Sequence, residues 1–115
     1  MRREQVLVAQ GVYFAATGVA PFVSRRAFEA VTGPKADWWL VQTVGALVTA
    51  VGVGIAGAGA RRRVTPEITG IAAGCALGLA GVDLVYVARG RLRPTYLLDA
   101  AVELGALAAL LRARP

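Results

Sequence analysis

The chain has 115 residues, which is enough for one structural unit and too few for two domains. Its hydrophobic fraction of 57% is above the range of soluble domains, and its charged fraction of 17% is below it. The net charge of +6 would suit a nucleic-acid partner, but the arginines form short clusters between long apolar runs. That distribution is typical of loops beside membrane spans, so we expect a membrane protein with no nucleic-acid partner.

Several residue types that carry enzymatic chemistry are scarce. The sequence has no histidine, which removes the usual ligand of zinc, copper and haem and the usual general base. Lys35 is the only lysine and lies between apolar runs, which excludes a buried Schiff-base lysine. Cys75, the only cysteine, lies among alanines and glycines and reads as a small packing residue. We therefore expect no metal, no cofactor and no catalytic residue, with a lipid-modifying enzyme as the weakest alternative.

Four apolar runs follow one another along the chain, at about residues 5–24, 38–60, 68–88 and 95–111. Each approaches the ~20 residues that an α-helix needs to cross a ~30 Å hydrocarbon layer. The pattern predicts an all-α integral membrane bundle of four transmembrane helices, up-down-up-down, in a single domain over residues 1–115. The fourth run, at 17 residues, reaches only ~25 Å and should lie upright or thin the bilayer locally.

Capping residues support these boundaries. Asp37 precedes two tryptophans and suits a helix N-cap at the membrane interface. The triplet Thr65-Pro66-Glu67 reads as a cap, a first-turn proline and an acid that suits the helix dipole. Gly90 can end the third span and Pro94 can open the fourth. The segment Arg25–Thr32 predicts a short helix on the membrane surface.

Loop charge leaves the membrane orientation open. With alternating spans, seven basic residues fall on the side of the N-terminus and six on the other side. The positive-inside rule therefore gives almost no preference for either membrane orientation. We expect a protein of the cell membrane that contacts anionic lipid headgroups through its arginine clusters. It either keeps one orientation or inserts both ways and pairs as an antiparallel homodimer.

Three acids lie within the last two spans: Asp83, Asp99 and Glu103. A charged side chain at the centre of a membrane helix costs roughly 2.5–3.5 kcal/mol, so acids at this depth suggest a role. Asp83 lies six residues before Arg89 and Asp99 five residues after Pro94, which places both at a similar depth in an antiparallel helix pair. Glu103 lies one turn deeper on the face of Asp99.

Other polar residues recur at helical spacing and should turn toward the same interior. A tyrosine stands three residues nearer the loop from each aspartate, and the first two spans carry polar stripes. The candidate ligand-binding or proton-binding residues are Asp83, Asp99, Glu103, Tyr86, Tyr96, Gln42, Thr17, Tyr13 and Gln10. The glycines Gly70, Gly74 and Gly78 form a ridge for helix packing, either within the chain or between two copies.

Two functions remain open. The first is binding or transport of a proton, a cation or an amphiphilic ligand at the carboxylates, where tyrosine rings would add cation–π attraction. The second is a structural or accessory membrane protein whose buried acids only link its helices.

In size, helix count and nearly balanced loop charge the chain resembles the small multidrug resistance transporters. Their essential acid lies on the first helix, whereas the first span here has none, so this resemblance covers the layout alone. The chain is also similar in scale to DoxX-like proteins and to the sterol isomerase and sigma-2 receptor group. In the latter, acids line a lipophilic pocket, but no motif of either group matches residue by residue.

Overall fold

The computed structural model describes residues 2–113, which form five α-helices. They are α1 (Arg3–Val23), α2 (Arg25–Thr32), α3 (Trp38–Ala60), α4 (Pro66–Ala88) and α5 (Tyr96–Arg112). The all-α prediction is confirmed for these residues. The four long helices begin and end within two residues of the predicted spans, and α2 coincides with the predicted surface helix.

Helices α1, α3 and α4 are long and apolar enough to cross a membrane. Large hydrophobic side chains are exposed on them, among them Val19, Leu47 and Leu77. Exposed apolar surface on this scale is unusual for a soluble monomer and matches a lipid environment. Helix α5 has 17 residues and is shorter than these three.

Two of the predicted capping residues act as expected at their helix ends, and a third does not. The Thr65 hydroxyl caps α4 by accepting a hydrogen bond from the Ile68 amide at 3.2 Å. Gly90 follows α4 with φ of 73°, the left-handed conformation that closes a helix. Asp37 is the N-cap residue of α3, but its side chain makes no capping hydrogen bond.

The closest helix contact joins α1 to α3 through glycines spaced seven residues apart. A Cβ atom placed on Gly52 would lie 2.6 Å from the Gly11 carbonyl oxygen, and one on Gly45 would lie 2.6 Å from that of Gly18. Gly59 continues the row, one step further along α3. The two backbones therefore touch along an antiparallel seam, which only glycine permits.

The rest of the fold consists of a second pair, α4 with α5, packed against α1. The Arg3 guanidinium Nε donates to the Leu110 carbonyl at 3.3 Å, and Tyr13 contacts Asp99, so α1 and α5 are antiparallel. Directions thus alternate along α1, α3, α4 and α5. We call the region where α1 faces α4 and α5 the central seam. Its apolar core includes Leu7, Phe14, Ala72 and Leu110.

The predicted glycine ridge of α4 lies away from these contacts. Gly70, Gly74 and Gly78 have no atom within 4 Å of the position a Cβ would take. The ridge therefore packs against no helix among residues 2–113, and of the two predicted uses contact with a second copy stays a prediction.

Helix α2 is tied to the loop between α4 and α5. The Arg93 guanidinium donates to the Ala30 carbonyl at 3.1 Å, and the Thr95 hydroxyl donates to the Val31 carbonyl at 2.9 Å. Thr95 is the N-cap residue of α5, but its hydroxyl is used for this tie and makes no capping bond. The short helix therefore covers the end of the fold at which α5 begins.

Glu29 holds α2 to the segment that follows it. Its carboxylate accepts from the Lys35 backbone amide at 2.6 Å and from the Arg25 guanidinium at 3.0 Å. The two bonds hold the pKa of Glu29 below its ordinary value of 4.5. The bond from the Lys35 amide lowers this pKa more than the bond from Arg25 does.

The glycine seam predicts a contrast between two positions in α3. Gly52→Ala should lower the free energy of unfolding by about 1–3 kcal/mol, because the added methyl group meets backbone atoms that cannot yield. Gly54→Ala should leave it unchanged or slightly raised, since nothing lies within 4 Å of that site. Thermal unfolding in detergent, followed by circular dichroism, compares the two. Equal stability of both variants would contradict the seam.

The lowered pKa of Glu29 predicts a pH dependence of α2 docking. The stabilising contribution is complete above pH 4.5 and is lost as the pH falls through the lower folded-state pKa. In a Trp39→Phe background, Trp38 fluorescence reports docking, because Arg25 lies 4.8 Å above its ring and Phe28 packs against it. Glu29→Gln should abolish the acid transition. An unchanged transition in that variant would assign it to another group.

Candidate functional site

Asp83 and Asp99 face each other from the two helices that flank the last loop. Asp99 lies in the first turn of α5, and Asp83 lies five residues before the end of α4. Asp83 is buried, and Asp99 is its neighbour across the α4–α5 pair. A hydrogen bond between two carboxyl groups requires one proton, since two carboxylates offer only acceptors. Two neighbouring carboxyl groups can share a proton in this way.

Glu103 lies one turn further along α5 and is fully buried. Neither of its carboxyl oxygens has a hydrogen-bond partner among residues 2–113, and the same holds for Oδ2 of Asp83. Buried polar atoms without partners cost about 1–3 kcal/mol each. The fold thus bears an energetic cost at these two acids.

Tyr13 brings α1 into the site. Its hydroxyl donates to Asp99 Oδ1 at 2.5 Å, across the central seam. We call Tyr13, Asp83, Asp99 and Glu103 the carboxylate cluster. Asp99 and Tyr13 are partly exposed, whereas Asp83 and Glu103 are buried, so the cluster opens outward at the Asp99 side.

The basic side chains of the described ion pairs lie away from the carboxylate cluster. The ion pairs described within residues 2–113 join Glu4 to Arg2 and Arg62, and Glu29 to Arg25. None of these pairs includes an acid of the cluster. In the same part of the chain, no group of three or more histidine, cysteine, aspartate or glutamate residues is arranged to hold a metal ion.

Gln10 extends the polar interior one turn along α1 from Tyr13. The side chain is 3% exposed, and its Nε2 donates to the Ala72 carbonyl of α4 at 2.9 Å. Its Oε1 is buried with no hydrogen-bond partner in the described chain. Gln10 therefore links α1 to α4 and leaves an acceptor directed into the interior.

The two tyrosines expected beside the aspartates have other neighbours. Tyr86 is 40% exposed, and the Arg89 guanidinium lies 5.8 Å from its ring centroid. The Tyr96 ring lies 5.2 Å from the Lys35 ammonium group. A three-residue step leaves a net offset of about 60° around the helix, and this offset puts Tyr86 on the exposed side of Asp83.

Thr17 and Gln42 also lie apart from the cluster. Thr17 is exposed, and its hydroxyl donates to the carbonyls of Tyr13 and Phe14 on its own helix. Gln42 is partly buried on α3 and makes none of the side-chain hydrogen bonds described for residues 2–113. Because the glycine seam joins α3 mainly to α1, residues of α3 contribute little to the central seam.

Sequence reasoning missed two features near the site. The seven-residue spacing of glycines on α1 and α3 was visible in the sequence and would have indicated their contact. The buried Thr69 hydroxyl, which has no partner in the described residues, had no such signal because threonine is common in membrane helices.

Comparison of the chain with protein-family models, with curated proteins and with solved structures finds no match.

Buried Glu103 allows a test of whether the acids serve folding. Glu103→Met should raise the free energy of unfolding by about 1–4 kcal/mol, because an apolar side chain of adaptable shape replaces an unpartnered carboxyl group. Asp99→Ala should instead lower it by about 1–3 kcal/mol, since the Tyr13 hydroxyl loses its acceptor. Thermal unfolding in detergent measures both. Destabilisation by Glu103→Met would show that Glu103 holds the fold together.

Proposed function

We propose that the chain is a small multi-pass membrane protein with four membrane-spanning helices that binds a cation at the carboxylate cluster. The cation that the site suits best is the proton. The observation that carries this proposal is the placement of Asp83 and Glu103 inside the fold, with three carboxyl oxygens that have no partner among the described residues. A cation bound there would supply what these oxygens lack.

Helix α5 is the fourth span in this proposal. Its 17 residues reach ~25 Å, slightly less than the hydrocarbon thickness. Leu98 and Leu111 are 71% and 72% exposed, whereas Glu103 faces inward. Two acids oppose insertion of α5 alone by about 5–7 kcal/mol. It should therefore insert together with α4 as a hairpin, with its acids against α4 and α1.

Proton binding is favoured over binding of an organic cation or an amphiphile. The rings of Tyr86 and Tyr96 lie beside Arg89 and Lys35, so they are not placed to surround a bound organic cation. Two neighbouring carboxyl groups such as those of Asp83 and Asp99 can share one proton without any further ligand. The Tyr13 hydroxyl adds a group that can pass a proton as well as donate one.

A structural or accessory role is the second candidate. Two hydrogen bonds favour it, because Tyr13 to Asp99 and Gln10 to Ala72 join α1 to the other helix pair. This role explains the contacts of Tyr13, Asp99 and Gln10. It does not explain why Glu103 is buried with no hydrogen-bond partner among the described residues.

The proposed setting is the cell membrane, with the arginine clusters at both ends against anionic lipid headgroups. Arg61, Arg62 and Arg63 are exposed beyond α3, and Arg89 and Arg91 beyond α4. An antiparallel homodimer stays a prediction. The glycine ridge of α4, which has no neighbour within 4 Å, would leave space for a helix of the second copy.

Proton binding predicts an infrared signature. In liposomes, raising the pH should remove the C=O stretching band of protonated carboxyl groups in the wild-type protein. The double variant Asp99→Asn and Glu103→Gln should lose most of this pH-dependent band, since only Asp83 of the three acids remains. Asp37→Asn serves as the control, because Asp37 is an exposed acid outside the cluster.

Two results would count against proton binding. A wild-type protein with no pH-dependent carboxyl band would rule it out at this cluster. A band of equal size in the double variant would place the titrating groups elsewhere. Retention of the band in Asp37→Asn is the expected result.

A further inference from the structure

The buried polar atoms without partners all lie on α1, α4 and α5. There are five such side-chain atoms within residues 2–113: Gln10 Oε1, Thr69 Oγ1, Asp83 Oδ2, Glu103 Oε1 and Glu103 Oε2. Native folds usually satisfy buried polar groups with protein or water. A concentration of exceptions on three adjoining helices therefore needs an explanation beyond packing.

These atoms can be ordered along the axis of α4. Thr69 comes first, then Ala72, whose carbonyl accepts from Gln10, and finally Asp83. Thr69 and Asp83 are 14 residues apart in the sequence, which corresponds to ~21 Å of helix. This is about two thirds of the ~30 Å hydrocarbon layer. We call this row the polar file.

Both ends of the file reach the surface. At one end, Asp99 and Tyr13 are partly exposed. At the other end, Thr69 lines a cavity of about 460 Å³ together with Arg3, Thr65 and Gly70. The file therefore runs between two openings on opposite sides of the fold.

The walls between these openings are apolar and closely packed. Leu7 and Ala76 are 0% exposed and Phe14 is 2% exposed. Such closely packed walls leave no room for a hydrated metal ion or an organic cation.

We infer that the polar file is a proton pathway across the membrane, in which water molecules join the carboxylate cluster to the cavity beside Arg3. This inference rests on the proposed proton binding at the cluster and adds the path that the proton takes from there to the cavity. A proton passes from water to the carboxyl pair of Asp83 and Asp99, then to Glu103. The next water accepts it and is held by a hydrogen bond to Gln10 Oε1, and the Thr69 hydroxyl relays it to water in the cavity. Each step breaks one O–H bond and forms another, with no electron transfer.

Proton flux into liposomes tests the route. A potassium gradient with valinomycin drives protons inward, and an enclosed pH-sensitive dye reports them. Gln10→Leu and Thr69→Val should each reduce the flux about tenfold or more, because each removes an oxygen that holds water while keeping the side-chain size. Gln42→Leu, the same change at a glutamine outside the file, should leave the flux unchanged, and Thr69→Ser should preserve it.

The carboxyl infrared band separates the pathway from the binding site. The pathway predicts that Gln10→Leu and Thr69→Val keep the pH-dependent band of the cluster while they lose flux. Wild-type flux in both variants would overturn the pathway, as would a wild-type protein that shows the band but passes no protons. In either of these cases the proposed proton binding at the cluster would still hold. Absence of the band from the wild-type protein would overturn both the binding site and the pathway. Circular dichroism confirms that each variant is folded.

Discussion

The fold depends on keeping polar side chains away from lipid. Acids and glutamine in an apolar helix can turn toward acyl chains only at a large cost, so they determine which faces of α1, α4 and α5 meet. Asp83, Glu103 and Gln10 are all buried, while many leucines and valines of the same helices, such as Val12, Leu77 and Leu98, are exposed. In a membrane, the hydrophobic effect would act mainly on the placement of the apolar helices α1, α3 and α4. The polar groups determine how the helices turn toward one another.

The glycine seam explains how a polar interior is tolerated. Backbone contact at Gly11, Gly18, Gly45 and Gly52 gives α1 and α3 extensive van der Waals contact without long side chains. One face of α1 is used for that contact, and another carries Gln10 and Tyr13. Helix α1 is thus held firmly on one side and presents hydrogen-bonding groups on the other.

Under the proposed function, stability and proton binding oppose each other at Glu103. A carboxyl group that is fully buried without a partner weakens the fold, and an apolar side chain would serve packing better. Tyr13 and Asp99 differ, since their hydrogen bond both links helices and forms part of the site. A structural role therefore explains Asp99 adequately, and the case for function is strongest at Glu103, Asp83 and the unpartnered oxygen of Gln10.

The sequence by itself determined the helices and the common depth of the two aspartates. Helix length, apolar runs and caps such as Thr65 are local properties, so the bounds of α3 and α2 could be read directly. It also indicated that α4 and α5 would bring Asp83 and Asp99 together, because a short loop leaves adjacent helices few arrangements. In the same way it marked Gln10 and Tyr13 as polar positions of α1.

Only the tertiary structure decided which residues share a site. It placed Tyr13 beside Asp99 and left Tyr86 and Thr17 outside, and it packed the glycines of α1 and α3 while leaving Gly74 open. Each of these outcomes depends on the rotation of a helix about its own axis. Spacing along a sequence defines the faces of a helix, but the neighbours it packs against decide which face is turned inward.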